Sequence, residues 1–284
     1  MSLSLHTNAA SLSIQNNLAS NRVALNTSMT RLGTGYKINS AKDDAAGLQI
    51  ATRLLAQTRG MSVAAQNTQN GISLMQNAEG AFNEFTNILL RMKDLATQSA
   101  DGSATDKDRT AQQSEYDDLV KELNNIFSNT TYGGEKLLAA DGKLGSGTVT
   151  FQIGATAAET MEVDISTALG TISGSIASTG SIGASGAIST QTAANALITT
   201  LSDALDDVGE VRSQLGAAQN RLTHTFNNLQ NMSTNTTDAR GRITDVDYAS
   251  ETANMTSKNI LMQASTSMLR QSSQMSQMVL SLLQ

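Results

Sequence analysis

The 284-residue sequence predicts a mainly α protein, an elongated antiparallel coiled-coil rod with paired N- and C-terminal helices and a small β-hairpin element. Three observations lead there. Proline is absent, where average usage would place about 14 in this length; a residue that removes an N–H and clashes with the preceding turn is missing from a chain that is mostly long helix. Apolar residues recur every seven positions over long unbroken stretches, the signature of helices packed along a seam. Both ends of the chain are apolar, helically patterned and almost free of charge: between Met1 and Asn21 the only ionisable side chain is His6, and from Gln271 to Gln284 there is none.

The first helix is predicted over residues 3–33, where Ile14, Leu18, Leu25, Met29 and Leu32 step at helical spacing. Gly33 and Gly35 interrupt it, and Ile38 to Gly47 reads as a structured connector. The second helix, about 44–99, carries Leu54, Met61, Thr68, Met75, Phe82, Leu89 and Ala96 in one register, with Gln57, Ala64, Gly71, Ala78, Phe85 and Met92 as companions. At 1.5 Å per residue it is on the order of 80 Å long. Asp101-Gly102 ends it, and a third helix, about 106–128, presents Tyr116, Leu119, Leu123 and Ile126. The period then changes. Val149, Phe151 and Ile153 alternate, as do Met161, Val163 and Ile165, which predicts a β-hairpin. Residues 166–192 are rich in Ser, Gly, Thr and Ala and read as a surface loop or small, weakly ordered module. A fourth helix over about 190–236 is in register from Ala194 to Met232. Gly241 breaks it, and a C-terminal helix follows from about 245.

The expected organisation is an inner coiled coil of residues 1–43 with 242–284, a helical rod of 44–165 with 190–241, and a short outer segment, 166–189. Folding the long helices antiparallel brings the two apolar termini together. In the last helix Leu261, Met268, Met275 and Leu282 recur every seven residues, with Ala264 and Met278 beside them. Leu269, Val279, Leu280 and Leu283 lie off that stripe, so pairing of the ends leaves apolar surface that another chain must cover.

Composition excludes several function classes. The chain has no cysteine, hence no disulfide, thiolate metal site or cysteine nucleophile. Its net charge of −6 argues against a nucleic-acid footprint, which is basic. No apolar run is long enough to span a membrane, and no basic segment followed by an apolar one marks a secretory signal at the N-terminus. The two histidines, His6 and His224, stand far apart, and the adjacent pairs Asp43-Asp44 and Asp117-Asp118 point in different directions on a helix. Neither makes an acid–base centre. No cofactor and no catalytic or metal-binding residue is expected.

Four runs carry a family resemblance: Arg31 to Gly47 (RLGTGYKINSAKDDAAG), Arg242 to Glu251 (RITDVDYASE), Phe151 to Ala155 (FQIGA) and the ending Val279 to Gln284 (VLSLLQ). They are similar to the two connectors, the hairpin and the C-terminus of bacterial flagellin, and the matching regions cover roughly residues 1–165 and 190–284. The resemblance implies a structural protein that self-assembles into the hollow, extracellular flagellar filament and has no enzymatic activity. It implies filament-core packing for Leu5, Leu12, Leu18, Leu25, Leu32, Leu261, Met268, Met275, Met278, Leu282 and Leu283. It also implies unfolded export through the flagellar type III apparatus without a cleaved signal, an export chaperone on the C-terminal helix, and contacts with filament cap and hook–filament junction proteins. Freedom from proline and cysteine suits that route, since slow prolyl isomerisation and misplaced disulfides are both avoided.

The run Leu89 to Gln98, with Glu115 on the next helix, resembles the patch through which the vertebrate toll-like receptor recognises flagellins. Leu89, Arg91, Leu95 and Glu115 are the candidate residues for subunit packing and for that recognition. Leu90 and Lys93 stand where recognised flagellins typically carry Gln and Arg, and Ser276 stands where many relatives have proline. The variable outer domain is reduced to about 166–192, whose Ser173, Ser175, Ser178, Thr179, Ser181 and Ser185 are candidate O-glycan acceptors. The alternatives are a hook–filament junction adaptor, which should lack these connectors, and a secreted helical binding module or effector.

Overall fold

The computed structural model describes residues 8–177 and 180–282. Its elements run α1 (Ala9–Thr34), α2 (Ala45–Ala100), α3 (Asp106–Asn129), β1 (Thr131–Tyr132), β2 (Glu135–Lys136), β3 (Val149–Gln152), β4 (Thr160–Val163), α4 (Ser166–Ile176), α5 (Gln191–Thr244) and α6 (Tyr248–Leu282). The chain forms two compact units, one of Met1–Gln57 with Asn235–Gln284 and one of Thr58–Thr234. The expected boundaries followed the glycine-containing connectors. The units instead divide within α2 and α5, the start of α2 and the end of α5 lying with the terminal helices.

In the Thr58–Thr234 unit the heptad reading describes the core. Met75, Phe82, Leu89 and Ala96 of α2 are fully buried, with Ala78, Phe85 and Met92 between them. Leu201, Val208, Val211, Leu215 and Leu222 of α5 are buried in the same cluster. Phe82 and Phe85 pack as a tilted pair with centroids 6.1 Å apart. Thr68 is the polar member of the α2 register; its hydroxyl donates to the Ala64 carbonyl at 2.7 Å, so the buried hydroxyl is satisfied. Arg212 donates through Nε to Glu79 at 2.9 Å and ties α5 to α2 beside the seam.

Helix α3 starts in a capping box. The Thr105 amide donates to Asp108 Oδ2 at 3.0 Å, and the Asp108 amide donates to Thr105 Oγ1 at 3.3 Å. The Thr105 hydroxyl, which donates to Asp108 Oδ2 at 2.6 Å, and the Thr105 amide hold the Asp108 carboxyl below its usual pKa. The Arg109 guanidinium caps the end of α2, donating to the carbonyls of Ser99 and Asp101, each at 2.9 Å. The predicted hairpin forms from β3 and β4 with Val149 opposite Val163 and Phe151 opposite Met161. A second, smaller hairpin of β1 and β2 turns on Gly133 and Gly134, both at positive φ (63° and 87°), the geometry of a two-residue primed turn.

The segment 166–189 corrects the sequence reading. It is no outer loop: residues 166–176 form α4, and Leu169, Ile172, Ile176, Ile182 and Ile188 are buried in the main core. Its backbone is satisfied by side chains of the neighbouring helices. Tyr116 Oη donates to the Ile182 carbonyl at 2.9 Å, Ser99 Oγ donates to the Ile188 carbonyl, and the Ile188 amide donates to Gln113 Oε1 at 2.8 Å. Burial raises the Tyr116 phenol well above its usual pKa, so it remains a donor. Asn124 Nδ2 donates to the Ile176 carbonyl at 3.2 Å. Such partners allow irregular backbone to be buried. The glycines serve close packing, since a Cβ on Gly183 would strike the backbone of Ile176 and Ala177. Among the candidate glycan acceptors, Ser181 and Ser185 are exposed, Ser173 and Ser175 are half-buried on α4, and Ser178 and Thr179 lie outside the described residues.

Candidate functional site: an assembly surface

Within the Met1–Gln57 and Asn235–Gln284 unit, α1 and α6 lie antiparallel. Asn8 caps α1, accepting from the Ser11 amide at 3.0 Å, and its Nδ2 donates to Ser272 Oγ at 3.1 Å. Near the opposite end of the pair, Arg31 lies 3.6 Å from the buried Glu251 carboxylate. Beyond Arg31 the connectors join. The Lys37 amide donates to the Thr244 carbonyl at 2.7 Å and the Val246 amide to the Gly35 carbonyl at 3.0 Å, around a bridge between Tyr36 and Asp245. Gly35 ends α1 in the left-handed conformation (φ 75°), and a Cβ there would sit 2.9 Å from Tyr248 Oη. This explains a glycine in the motif on two grounds, backbone conformation and space.

Asp43 organises the rest of the connector. Its Oδ2 accepts from the Asn39 amide at 3.1 Å, the Ser40 amide at 2.9 Å and the Ser40 hydroxyl at 3.1 Å. The Asn39 and Ser40 amides chiefly, helped by the Ser40 hydroxyl and by Arg31, lower its pKa below 3.8. A carboxylate with a depressed folded pKa contributes order above the unfolded value, and that contribution is lost as pH falls through the folded value. The Asn39 and Ser40 amide resonances should therefore titrate together with a midpoint below pH 3.8, and Asp43→Asn should abolish the transition. A midpoint at or above that value would remove the role given to Asp43.

The seam between α1 and α6 departs from expectation. On α1 a row of residues withdrawn from solvent steps by three and four: Ser11, Ile14, Leu18, Asn21, Leu25, Ser28, Leu32, flanked by Ala24, Thr27 and Arg31. On α6 the corresponding row is Glu251, Met255, Lys258, Met262, Ser265, Leu269 and Ser272, with Ala264 beside it. Half of this seam is small or polar. Leu18, Leu25 and Leu32 belong to it, as expected of core positions. The stripe Leu261, Met268, Met275, with Met278, does not. These side chains remain 44–60% exposed, and Leu12 on α1 is 51% exposed. The last helix thus carries two rows at sevenfold spacing, and the mixed one faces α1 while the apolar one flanks it. Leu5 and Leu283, and the side chain of Leu282, lie outside the described residues. Sequence reading missed Ser28, Glu251 and Ser272, all buried; the three-four spacing of small residues was the available signal. A groove of about 560 Å³ opens along the pair, floored by Leu18, Leu25 and Met262 and edged by Arg22 and Thr266.

The second candidate patch also needs correction. Leu89 and Leu95 are buried in the core of the Thr58–Thr234 unit (0% and 2% exposed), so neither touches a partner unless the helices part. Arg91 and Glu115 are half-exposed and paired, Arg91 Nε donating to Glu115 Oε1 at 2.8 Å. Such a pair contributes at most about 1 kcal/mol. Its exposed apolar neighbour is Leu90.

A helical pair that closes a half-polar seam internally and leaves its apolar row outside defines an assembly subunit. Family models describe residues 5–143 as the bacterial flagellin N-terminal helical region and residues 198–283 as its C-terminal helical region. A flagellin of Halalkalibacterium halodurans is 42% identical over 256 residues, covering 90% of each chain. A Bacillus subtilis flagellin is 39% identical over 298 residues, covering 97% of this chain and 98% of the other. Among solved structures, Bacillus cereus flagellin matches with a TM-score of 0.50 and 28% identity over 58% of this chain and 88% of that one. A putative flagellar hook-associated protein from Vibrio parahaemolyticus, at 17% identity and a TM-score of 0.55 over 72% of this chain, shares the fold. The chain belongs to the bacterial flagellin family: it is a subunit of the flagellar filament, a structural component of motility outside the cell.

Proposed function

We propose that the subunit polymerises through the outward apolar row of α6 and the exposed leucine of α1, with further copies of the same chain covering what the α1–α6 seam leaves open. The observation that carries this reading is the exposure of Leu261, Met268 and Met275 beside a seam that is half polar. Burial of large apolar side chains contributes about 1.5–3 kcal/mol each, so a row repeated in every subunit supplies a substantial contact energy. The test is seeded elongation with Leu12→Gln and Leu261→Gln. Both positions are exposed in the single chain, so its melting should shift by no more than about 0.5 kcal/mol in stability, while elongation falls by at least about tenfold. Elongation at the wild-type rate would remove these rows from the assembly surface.

The protein acts without reaction chemistry. It reaches the filament unfolded through the flagellar export apparatus, and its C-terminal helix is the segment that an export chaperone would cover before assembly. Filament cap and hook–filament junction proteins meet the same terminal helices. Packing against neighbouring copies is the primary role of the Arg91–Glu115 face, and recognition by the vertebrate toll-like receptor is secondary. Of the residues assigned to that patch, the exposed Arg91 and Glu115 support both roles. Equal binding of wild-type and Glu115→Lys monomers to the isolated receptor ectodomain would remove recognition at this face.

A further inference from the structure

The large apolar side chains that α6 leaves exposed beyond Leu261 are, among the described residues, methionines: Met278 is 60% exposed, and Met268 and Met275, on the sevenfold row, are 57% and 58% exposed. Their two thioethers occupy one row, seven residues apart, where neighbouring copies are expected to pack. Met255 and Met262 sit half-buried in the seam against α1, and Met61, Met75 and Met92 are fully buried in the other unit. The methionines of α6 thus divide into half-buried seam positions and accessible positions on the outward face. Thioether oxidation follows accessibility and converts a flexible apolar group into a polar, chiral sulfoxide. Leucine in the same row would have no such chemistry.

We propose that Met268 and Met275 make assembly of the free subunit oxidation-sensitive. A peroxide is the oxidant. The sulfur lone pair attacks one peroxide oxygen, an S–O bond forms as the O–O bond breaks, and sulfur loses two electrons while the peroxide leaves as water. Each event places a sulfoxide oxygen on the row that a neighbouring copy must dehydrate, where an unpaired polar group is costly. Reduction by a sulfoxide reductase returns the thioether and water and leaves a disulfide on the reducing dithiol. The proposal rests on the assembly reading above, since it assigns chemistry to the same row.

The test uses the full chain, dilute hydrogen peroxide as probe, peptide mass spectrometry to locate sulfoxide, and elongation of filament seeds as readout. Met268 and Met275 should oxidise well before Met61, Met75 and Met92. Elongation should fall by about tenfold or more as the two are converted, with unchanged melting of the Thr58–Thr234 unit. Methionine sulfoxide reductases with a dithiol should restore it. The double variant Met268→Leu, Met275→Leu should elongate and should keep doing so after the same peroxide exposure, although Met29, Met232 and Met278, also exposed, are still oxidised. Wild-type protein oxidised at both sites yet elongating at the untreated rate would overturn the proposal, as would a double variant that loses as much activity to peroxide as wild type. Should the double variant not elongate at all, full chemical reduction of oxidised wild type without recovery of elongation overturns it. Failure of the untreated wild-type chain to elongate seeds would instead count against the assembly reading.

Discussion

Removal of residues 270–284 should leave a folded, soluble protein that no longer elongates filament seeds. The Thr58–Thr234 unit contains none of those residues, so its melting temperature should stay within about 2 °C of the intact chain, less than the shift that 1 kcal/mol produces in a unit of that size. The truncation removes Ser272 and its hydrogen bond from Asn8, which hold one end of the α1–α6 pair, and Met275 of the exposed row. It leaves the connector pairing and the Arg31–Glu251 contact in place. Circular dichroism and seeded growth viewed by electron microscopy separate the two effects. Normal filaments from the truncated chain would remove the end of α6 from the assembly element.

Ile182→Ala should destabilise the Thr58–Thr234 unit by about 2–5 kcal/mol, the range for emptying a buried aliphatic site, and lower its melting temperature by roughly 5–15 °C. Ile182 is 0% exposed and lies in the same cluster as Tyr116 and Leu197, with its own carbonyl held by the Tyr116 hydroxyl. Ser181→Ala, at the adjacent exposed position, is the control and should be neutral within about 0.5 kcal/mol. A change of less than about 1 kcal/mol at Ile182 would return the segment to the status of an outer loop.

That segment shows where composition misleads. Ser, Gly and Thr are common in loops, but the deciding information is five apolar residues, Leu169, Ile172, Ile176, Ile182 and Ile188, spaced without one period because helix gives way to irregular chain between them. Periodicity detects regular elements and is blind to a core built partly from turns. The α2 and α5 seams were legible for the opposite reason: over 50 or so residues a single register runs along each helix, and from Met61 to Ala96 and Ala194 to Leu222 its large apolar members are buried, with off-register neighbours such as Leu74 and Leu95 added by packing. The short β1–β2 hairpin passed unnoticed because two-residue strands carry no alternation; only the Gly133-Gly134 turn marks them.

The connectors were recognisable as motifs, yet their physical content was not. Sequence could not say that Gly35 is confined by Tyr248 or that the backbone of 35–37 pairs with that of 244–246, because these partners lie some two hundred residues apart. The receptor-like run had a similar limit. Leu89 and Leu95 matched by letter, and the helical phase that buries Leu89 and Leu95 while exposing Leu90 and Arg91 is set by which face of α2 meets the core.

By itself the sequence determined the mainly helical class, the long unbroken seams, the connectors, and the apolar, uncharged character of both ends, since each is a property of local composition and spacing. Tertiary structure decided which of two rows on the last helix faces its partner. Both rows repeat every seven residues, and the larger apolar one appeared the natural seam. Close approach of α1 and α6 at Ser28 and Ser272, fixed by Asn8 at one end and Arg31 with Glu251 at the other, selects the mixed row. The methionine-bearing row is left in water.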